Sequence, residues 1–139
     1  MNYIKIVFGA LAYFVSSFVF QGILGFVLAG DYFSSISIMR NPPILLLAFS
    51  QAIISGIAFA ILYPITNFAG NPVSRGLKFG LLLGFIMVPF IAVDLPARFM
   101  LPSIETWIWV QVLVGLLHYS VAGILIGLIY GRHDQKGQV

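Results

Sequence analysis

The chain has 139 residues, of which 60% are hydrophobic and only 8% are charged, with a net charge of +3. An ordinary soluble domain carries roughly 25% charged residues, so this composition excludes a fold with a water-facing polar surface. The sequence contains no cysteine, which excludes disulfides, thiolate metal sites and a cysteine nucleophile.

Four long apolar runs occupy most of the chain. They cover residues 4–28, 43–65, 73–95 and 104–131. Each is long enough to cross a bilayer core of about 30 Å as a helix. The sequence therefore predicts an all-α integral membrane protein, a single four-transmembrane-helix domain over residues 1–139, in which residues 132–139 form a polar cytoplasmic tail.

The basic residues are distributed unequally between the two ends of the predicted bundle. One end collects Lys5, Arg75, Lys78, Arg132 and Lys136, and the other has Arg40 and Arg98. Because short cytoplasmic segments carry the excess of Lys and Arg, we expect both termini to be cytoplasmic, in a bacterial inner (plasma) membrane. The charges are too few and too dispersed for nucleic acid binding. The predicted partners are the lipid bilayer and either further copies of the chain or a larger membrane complex.

Several residues mark the predicted helix ends and a break. Ser103 is a candidate N-cap of the fourth helix. Trp107 and Trp109 predict that this helix begins near the membrane–water boundary, where tryptophan is enriched. Pro89 predicts a kink in the third helix, because its ring removes a backbone hydrogen bond. The segment 30–40 is predicted as a loop with a short interfacial piece.

Small residues recur at a spacing of four in the last two runs. The stripes contain Gly76, Gly80 and Gly84 in the third run, and Gly123 and Gly127 in the fourth. This spacing lets helix backbones approach closely in lipid. The stripes indicate packing within the bundle or, alternatively, dimerisation.

An internal repeat is suggested by a weak alignment. The segment 51–63 aligns with 118–130 and matches Gly56 with Gly123 and Tyr63 with Tyr130, and the first and third runs match Gly9 with Gly80. If the repeat is real, the protein is two tandem helical hairpins related by an axis along the membrane normal. The alternative is chance similarity in an apolar chain.

Four polar residues inside the runs are the candidates for a ligand-binding pocket. These are Gln21, Gln51, Gln111 and His118. At 100° per residue, Gln111 and His118 share one face of the fourth helix with Gly115 and Ala122, and we expect that face to point inward. His118 is interpreted as a hydrogen-bonded core histidine, a proton acceptor or an axial ligand. Haem ligation by His118 is the less favoured of these, so no cofactor is predicted, and no spacing indicates a metal site.

Three charged residues flank the connection between the third and fourth runs. Asp94, Arg98 and Glu105 form either an interfacial anchor or the outer mouth of the pocket, and Asp94 is also a pocket candidate. No catalytic constellation is visible.

The resulting functional hypothesis is a transport or channel-type protein with a polar pocket open to the outer side. The alternative is a noncatalytic accessory subunit, or a protein that binds a hydrophobic ligand such as a lipid or pigment. An enzymatic role comes third.

Overall fold

The computed structural model describes residues 2–40 and 42–131, and the elements in these ranges are helices, without strands. Four of them are long and apolar enough to cross a membrane: α1 Tyr3–Ser34, to which Ser35 adds the last helical residue, α2 Leu45–Ile65, α3 Pro72–Arg98 and α4 Ile104–Gly131. The prediction of four such helices is confirmed. The predicted tail 132–139 lies outside the described residues.

Two of the long helices contain a π-helical segment. In α1 the α-helix Tyr3–Ser17 passes into a π-helix, Phe18–Leu24, before α-helix resumes over Gly25–Ser35. In α3 the α-helix Pro72–Pro89 is followed by a π-helix, Phe90–Asp94, and a final turn, Leu95–Arg98. The end of α2, Tyr63–Ile65, is a 3₁₀ turn.

The first helix extends beyond its predicted limit. It continues past residue 28 through Ala29, whose backbone is non-helical at φ −140° and ψ 27°, to Ser35. The segment 30–40 is therefore helical in its first half. Contacts with α4 explain this, because the Tyr32 hydroxyl donates to the Ser103 carbonyl at 2.5 Å and the Phe33 ring lies 6.1 Å from that of Trp107.

The helices pack in the order α2, α1, α4, α3, with close backbone contact between neighbours in that order. The remaining side, between α2 and α3, is filled by aromatic side chains such as Tyr63 and Phe79, whose ring centroids lie 5.2 Å apart. We call the end of the bundle that contains Tyr3 and Gly131 the terminal end, and the end that contains Arg98 and Ile104 the opposite end.

Glycines set the contact between α3 and α4. A Cβ built on Gly76 would collide with the Gly123 carbonyl oxygen, and one on Gly80 would collide with the Tyr119 carbonyl oxygen. Gly84 faces Leu116 and Tyr119, and Gly127 faces Pro72 and Gly76. Both glycine stripes therefore lie at a contact within the bundle. In a membrane such close packing is a main source of helix association, because apolar side chains gain no free energy by moving from lipid into a helix contact.

Two prolines flank the π-helix of α3. Pro89 begins the disturbance, and Pro96 has no N–H to donate to the Ile91 carbonyl five residues earlier, as a π-helix requires. The indole Nε1 of Trp107 donates to that carbonyl instead, at 2.9 Å. Trp107 is accordingly 7% exposed, whereas Trp109 is 67% exposed. Both tryptophans lie in the first two turns of α4, as the predicted start of this helix requires, but their side chains point in different directions.

The α3–α4 contact predicts the effect of adding one methyl group. Gly80→Ala should lower the free energy of unfolding in detergent by about 1–3 kcal/mol, because the methyl group overlaps the backbone of α4. Gly30→Ala is the matched control, since no atom lies within 4 Å of its Cβ position. The control should be neutral or stabilising by up to about 1 kcal/mol. Equal losses measured by circular dichroism would contradict this packing.

The Trp107 hydrogen bond predicts a difference between the two tryptophans. Trp107→Phe should lower the free energy of unfolding by about 1–2 kcal/mol, because it leaves the Ile91 carbonyl unpaired in an apolar environment. Trp109→Phe, at an exposed position, should change it by less than about 0.5 kcal/mol. The same unfolding measurement checks both variants, and a Trp107→Phe protein as stable as the wild type would show that the bond contributes nothing.

Candidate functional site

The candidate site is built around His118 in the middle of α4. The residue is 1% exposed, and its neighbours on the same helix face, Gly115 and Ala122, are buried as well. Gly115 allows α3 to approach, since a Cβ there would lie 2.7 Å from a Val88 methyl carbon. Gly115, His118 and Ala122 on the predicted inward face of α4 are therefore buried. Gln111, at the end of that face nearest the start of the helix, is partly exposed.

The imidazole of His118 is surrounded by aromatic rings. The ring centroids of Tyr119 and Tyr13 lie 4.8 Å and 5.0 Å from it, and that of Phe20 lies 6.4 Å away. Two of these three rings are phenols, so the neighbourhood is aromatic without being entirely apolar.

One ring nitrogen of His118 has a partner and the other has none in the described part of the chain. The side-chain Nε2 of Gln21 lies 3.4 Å from Nδ1. With the amide donating, Nδ1 accepts and the ring hydrogen is assigned to Nε2. Nε2 is buried and makes no hydrogen bond to any described residue. A buried donor without a partner costs about 1–3 kcal/mol, so this atom needs an explanation.

Tyr13 links the histidine to a second glutamine. Its side chain is 2% exposed, its ring centroid lies 6.3 Å from that of Tyr119, and its hydroxyl interacts with the Gln51 side chain. Gln51 also donates to the Ser55 hydroxyl at 2.9 Å. We call the five residues Tyr13, Gln21, Gln51, His118 and Tyr119 the polar core. Because Gln21 and Gln51 are exposed, the polar core reaches from the centre of the bundle to its surface.

The π-helix of α1 carries one member of the polar core. Gln21 lies within Phe18–Leu24, where the wider turn changes the directions of successive side chains. This segment contains no proline, so nothing in the local sequence predicts it, in contrast to the π-helix of α3. π-helical turns within α-helices occur frequently at functional sites.

An aromatic layer separates the polar core from the terminal end. Phe59 is 8% exposed and its ring lies 5.0 Å from that of Tyr13, while Phe79 is 1% exposed and packs on Tyr63. Beyond this layer a depression of about 400 Å³ opens at the terminal end, bordered by Lys5, Arg75, Tyr63 and Tyr130 among others. The sequence analysis did not identify this layer or the two core tyrosines, although the adjacency of Tyr119 and His118 could have indicated one of them.

The other predicted site residues lie apart from the polar core. Gln111 makes no side-chain hydrogen bond to a described residue. Arg98 binds Asp94 through Nη2 at 3.0 Å and Nε at 3.2 Å on the surface of α3, and Glu105 is exposed in the first turn of α4. Arg98 borders a depression of about 330 Å³ at the opposite end. In the described ranges, no three His, Asp or Glu side chains are close enough to hold a metal ion.

Comparison of the chain with family models, with curated proteins and with solved structures gives no significant match.

The Gln21–His118 contact predicts a coupling energy between two helices. In a double-mutant cycle of Gln21→Leu and His118→Phe, the unfolding free energies should show a coupling of about 1 kcal/mol, within the range of interhelical hydrogen bonds in membranes. The matched cycle of Gln111→Leu and His118→Phe should show about 0.3 kcal/mol or less. Equal couplings in the two cycles would show that the contact with Gln21 is not specific.

Proposed function

We propose that the protein is a small integral membrane transporter or channel that moves protons, alone or together with a polar solute, through the polar core. The observation that carries the proposal is the His118 imidazole, 1% exposed, with Nδ1 facing Gln21 and Nε2 without a partner in the described part of the chain. With the ring hydrogen on Nε2, the imidazole relays a proton by accepting one at Nδ1, toward which the Gln21 amide then turns its oxygen, and by releasing the hydrogen from Nε2, which no described residue binds. Ionisable side chains inside apolar helices commonly mark proton and ion pathways.

Membrane insertion is supported by the surface of the bundle. Large exposed side chains along the four helices are aliphatic or aromatic, including Leu46, Ile54, Phe85 and Phe90. In water this surface would aggregate, whereas in lipid it is the expected outer face. The terminal end contains Lys5, Arg75 and Lys78, and by the positive-inside rule we propose that it faces the cytoplasm, with the bundle in a bacterial inner (plasma) membrane.

The route to His118 runs from the surface of α1 and α2. Gln21 and Gln51 are exposed and contact the buried members of the polar core, so they offer a chain of polar groups from the outer half of the bundle. Toward the cytoplasm, Phe59 and Phe79 close the route. A layer of this kind blocks water and ions until it moves, as hydrophobic constrictions do in channels.

We assign the charged residues at the opposite end to anchoring the connection between α3 and α4 at the membrane interface. Asp94 and Arg98 bind each other on the exposed end of α3, where such a pair contributes less than about 1 kcal/mol. Glu105 lies in the first turn of α4, where a negative charge interacts favourably with the helix dipole. A role for these three residues as an outer mouth is the less supported interpretation.

The tandem-hairpin relationship is retained as part of the proposal. Gly9 faces Ala60 and Gly56 faces Ala10 in the first hairpin, and the aligned Gly80 and Gly123 face each other in the second. Equivalent glycines thus lie between the helices of both hairpins. The register of the helix contact differs between the two hairpins by about one helical turn. Gly80 lies opposite Gly123 in the second hairpin, whereas Gly9 lies opposite Ala60, four residues after Gly56, in the first. Assembly of several copies in the membrane is a further part of the proposal.

A second candidate function has its own observation. At the opposite end, a depression of about 300 Å³ is lined by apolar side chains, among them Ile36, Met39, Leu95 and Trp107. It favours the alternative of a subunit that binds a lipid chain or pigment. Haem bound through His118 belongs to this alternative. An absorption spectrum and lipid analysis of the purified protein distinguish it from the transporter.

Proton flux into liposomes tests the proposal. The protein is reconstituted with an internal pH dye, a potassium diffusion potential is imposed, and the initial rate of acidification is measured. The wild type should exceed empty liposomes, and His118→Leu should lower the specific rate at least tenfold, because it removes the group that exchanges the proton. Asp94→Asn is the control and should keep the wild-type rate.

A substitution in the aromatic layer should act in the opposite direction. Phe59→Ala opens the separation between the polar core and the terminal end and should raise the flux severalfold. A wild-type rate equal to that of empty liposomes, or a His118→Leu rate equal to the wild type in protein that remains folded, would overturn the proposal.

A further inference from the structure

The Gln21 side chain lies at the middle depth of the bundle and is exposed on its surface. Its Nε2 is 3.4 Å from Nδ1 of His118. His118 lies midway along α4, roughly 20 Å from Ile104 and from Gly131, because an α-helix rises about 1.5 Å per residue. The hydrocarbon core of a bilayer extends about 15 Å to either side of its centre, so the Gln21 amide is far from both interfaces.

Gln21 uses only part of its hydrogen-bonding capacity within the chain. A carboxamide has two N–H donors and a carbonyl acceptor. One N–H faces Nδ1 of His118, and neither the second N–H nor Oε1 makes a hydrogen bond to a described residue. Lipid offers no water to these groups, and an exposed polar group without a partner is unfavourable there. The exposed side of Gln21 therefore needs a polar partner from outside this chain.

Gln51, the other exposed glutamine of the polar core, is nearer to an interface. It lies about 9 Å along α2 from Leu45, the first residue of that helix at the opposite end of the bundle. Its Nε2 donates to the Ser55 hydroxyl at 2.9 Å. Water at the opposite end can therefore reach Gln51 more readily than Gln21, and Gln21 is the residue that requires a protein partner.

The same amide in a second copy of the chain is complementary to Gln21. Across a two-fold axis, each Gln21 would donate its free N–H to Oε1 of the other, so that two equal bonds satisfy both unpaired groups. A lipid acyl chain has no group that can make these bonds. Glutamine side chains that bond between helices stabilise helix association in membranes.

The surface of α1 beside Gln21 allows another helix to approach. Gly22 is partly exposed, and a Cβ built there would meet only the ring of Phe18, at 3.7 Å. Phe18 itself is 50% exposed. Residues 6–30 contain no charged side chain, so two identical surfaces can meet without repulsion between like charges.

We propose that two copies of the protein pack together through the α1 surface formed by Phe18, Gln21 and Gly22, with the two Gln21 amides hydrogen-bonded to each other. Each Gln21 keeps its other N–H on His118, so the contact joins the polar cores of the two copies. The inference rests on the membrane insertion in the proposed function, because an uncovered amide is unfavourable only in lipid. It does not depend on proton transport.

Cysteine crosslinking tests the contact, because the chain contains no cysteine of its own. Gly22→Cys is reconstituted into liposomes and oxidised, and the initial rate of covalent dimer formation is measured by electrophoresis. Thiols beside a two-fold axis can reach the Cβ separation of about 4 Å that a disulfide requires. Phe18→Cys, on the same surface, supplies a second position and should also form the dimer.

Phe85→Cys is the matched control for chance collisions. Phe85 is 70% exposed on α3, and its neighbour Gly84 faces Tyr119, so the control thiol lies at a similar depth. Gly22→Cys should crosslink severalfold faster than Phe85→Cys at the same ratio of protein to lipid.

Removal of the amide tests the polar part of the contact. In the Gly22→Cys background at low protein density, Gln21→Leu should lower the initial crosslinking rate about tenfold, because two interhelical bonds of about 0.6 kcal/mol each are lost. Gln111→Leu is the same substitution on α4 and should leave the rate unchanged. His118→Phe removes the partner of Gln21 within the chain but keeps the amide pair, so it should also leave the rate unchanged.

The inference is overturned if Gly22→Cys and Phe18→Cys crosslink no faster than Phe85→Cys in protein that resists alkaline extraction, the result expected if lipid covers this surface. It is also overturned if Gln21→Leu lowers the rate no more than Gln111→Leu does. Extraction of the protein by alkali would contradict membrane insertion and this inference together. Rapid crosslinking in protein that gives no proton flux would support the contact and contradict only the transport proposal.

Discussion

A polar group in the apolar interior of this bundle has no water to bind, so each interruption of the apolar pattern must find its partner within the protein. The π-helix of α3 exposes the Ile91 carbonyl, and Trp107 supplies the missing donor. His118 brings two ring nitrogens into the centre, and Gln21 satisfies one of them. The other nitrogen, Nε2, is buried and has no hydrogen-bond partner in the described part of the chain. This unsatisfied nitrogen is the reason for placing the proposed proton exchange at His118.

The two helices that bring His118 and Gln21 together differ in their regularity and packing. Between α3 and α4, glycines let the backbones touch at several successive turns, and α4 holds His118 on this tightly packed side. The facing helix α1 contains a π-helix and the non-helical Ala29. Gln21 belongs to that irregular segment. A shift in the π-helical turn would move the Gln21 amide relative to the imidazole.

Periodicity and composition were sufficient to predict the four long helices, because a run of about twenty apolar residues is compatible with few structures other than a membrane-spanning helix. The fourth helix coincides with its prediction at 104–131, and the Ser103 hydroxyl accepts from the Thr106 N–H as an N-cap does. The remaining features depend on contacts between residues that are distant in sequence. The continuation of α1 to Ser35 accompanies the contacts of Tyr32 with Ser103 and of Phe33 with Trp107. For the same reason, spacing could place His118 on an inward face but could not show that Gln21, rather than Gln111, contacts it.

The central claim is that Gln21 and His118 meet inside a membrane-embedded bundle. Solid-state NMR of protein labelled with ¹⁵N in histidine and glutamine side chains, in lipid bilayers, measures this contact without altering the site. The separation of 3.4 Å predicts a ¹⁵N–¹⁵N cross-peak between a histidine ring nitrogen and a glutamine amide nitrogen, which should disappear in Gln21→Leu. The absence of this cross-peak from the wild type, or its survival in Gln21→Leu, would contradict the account.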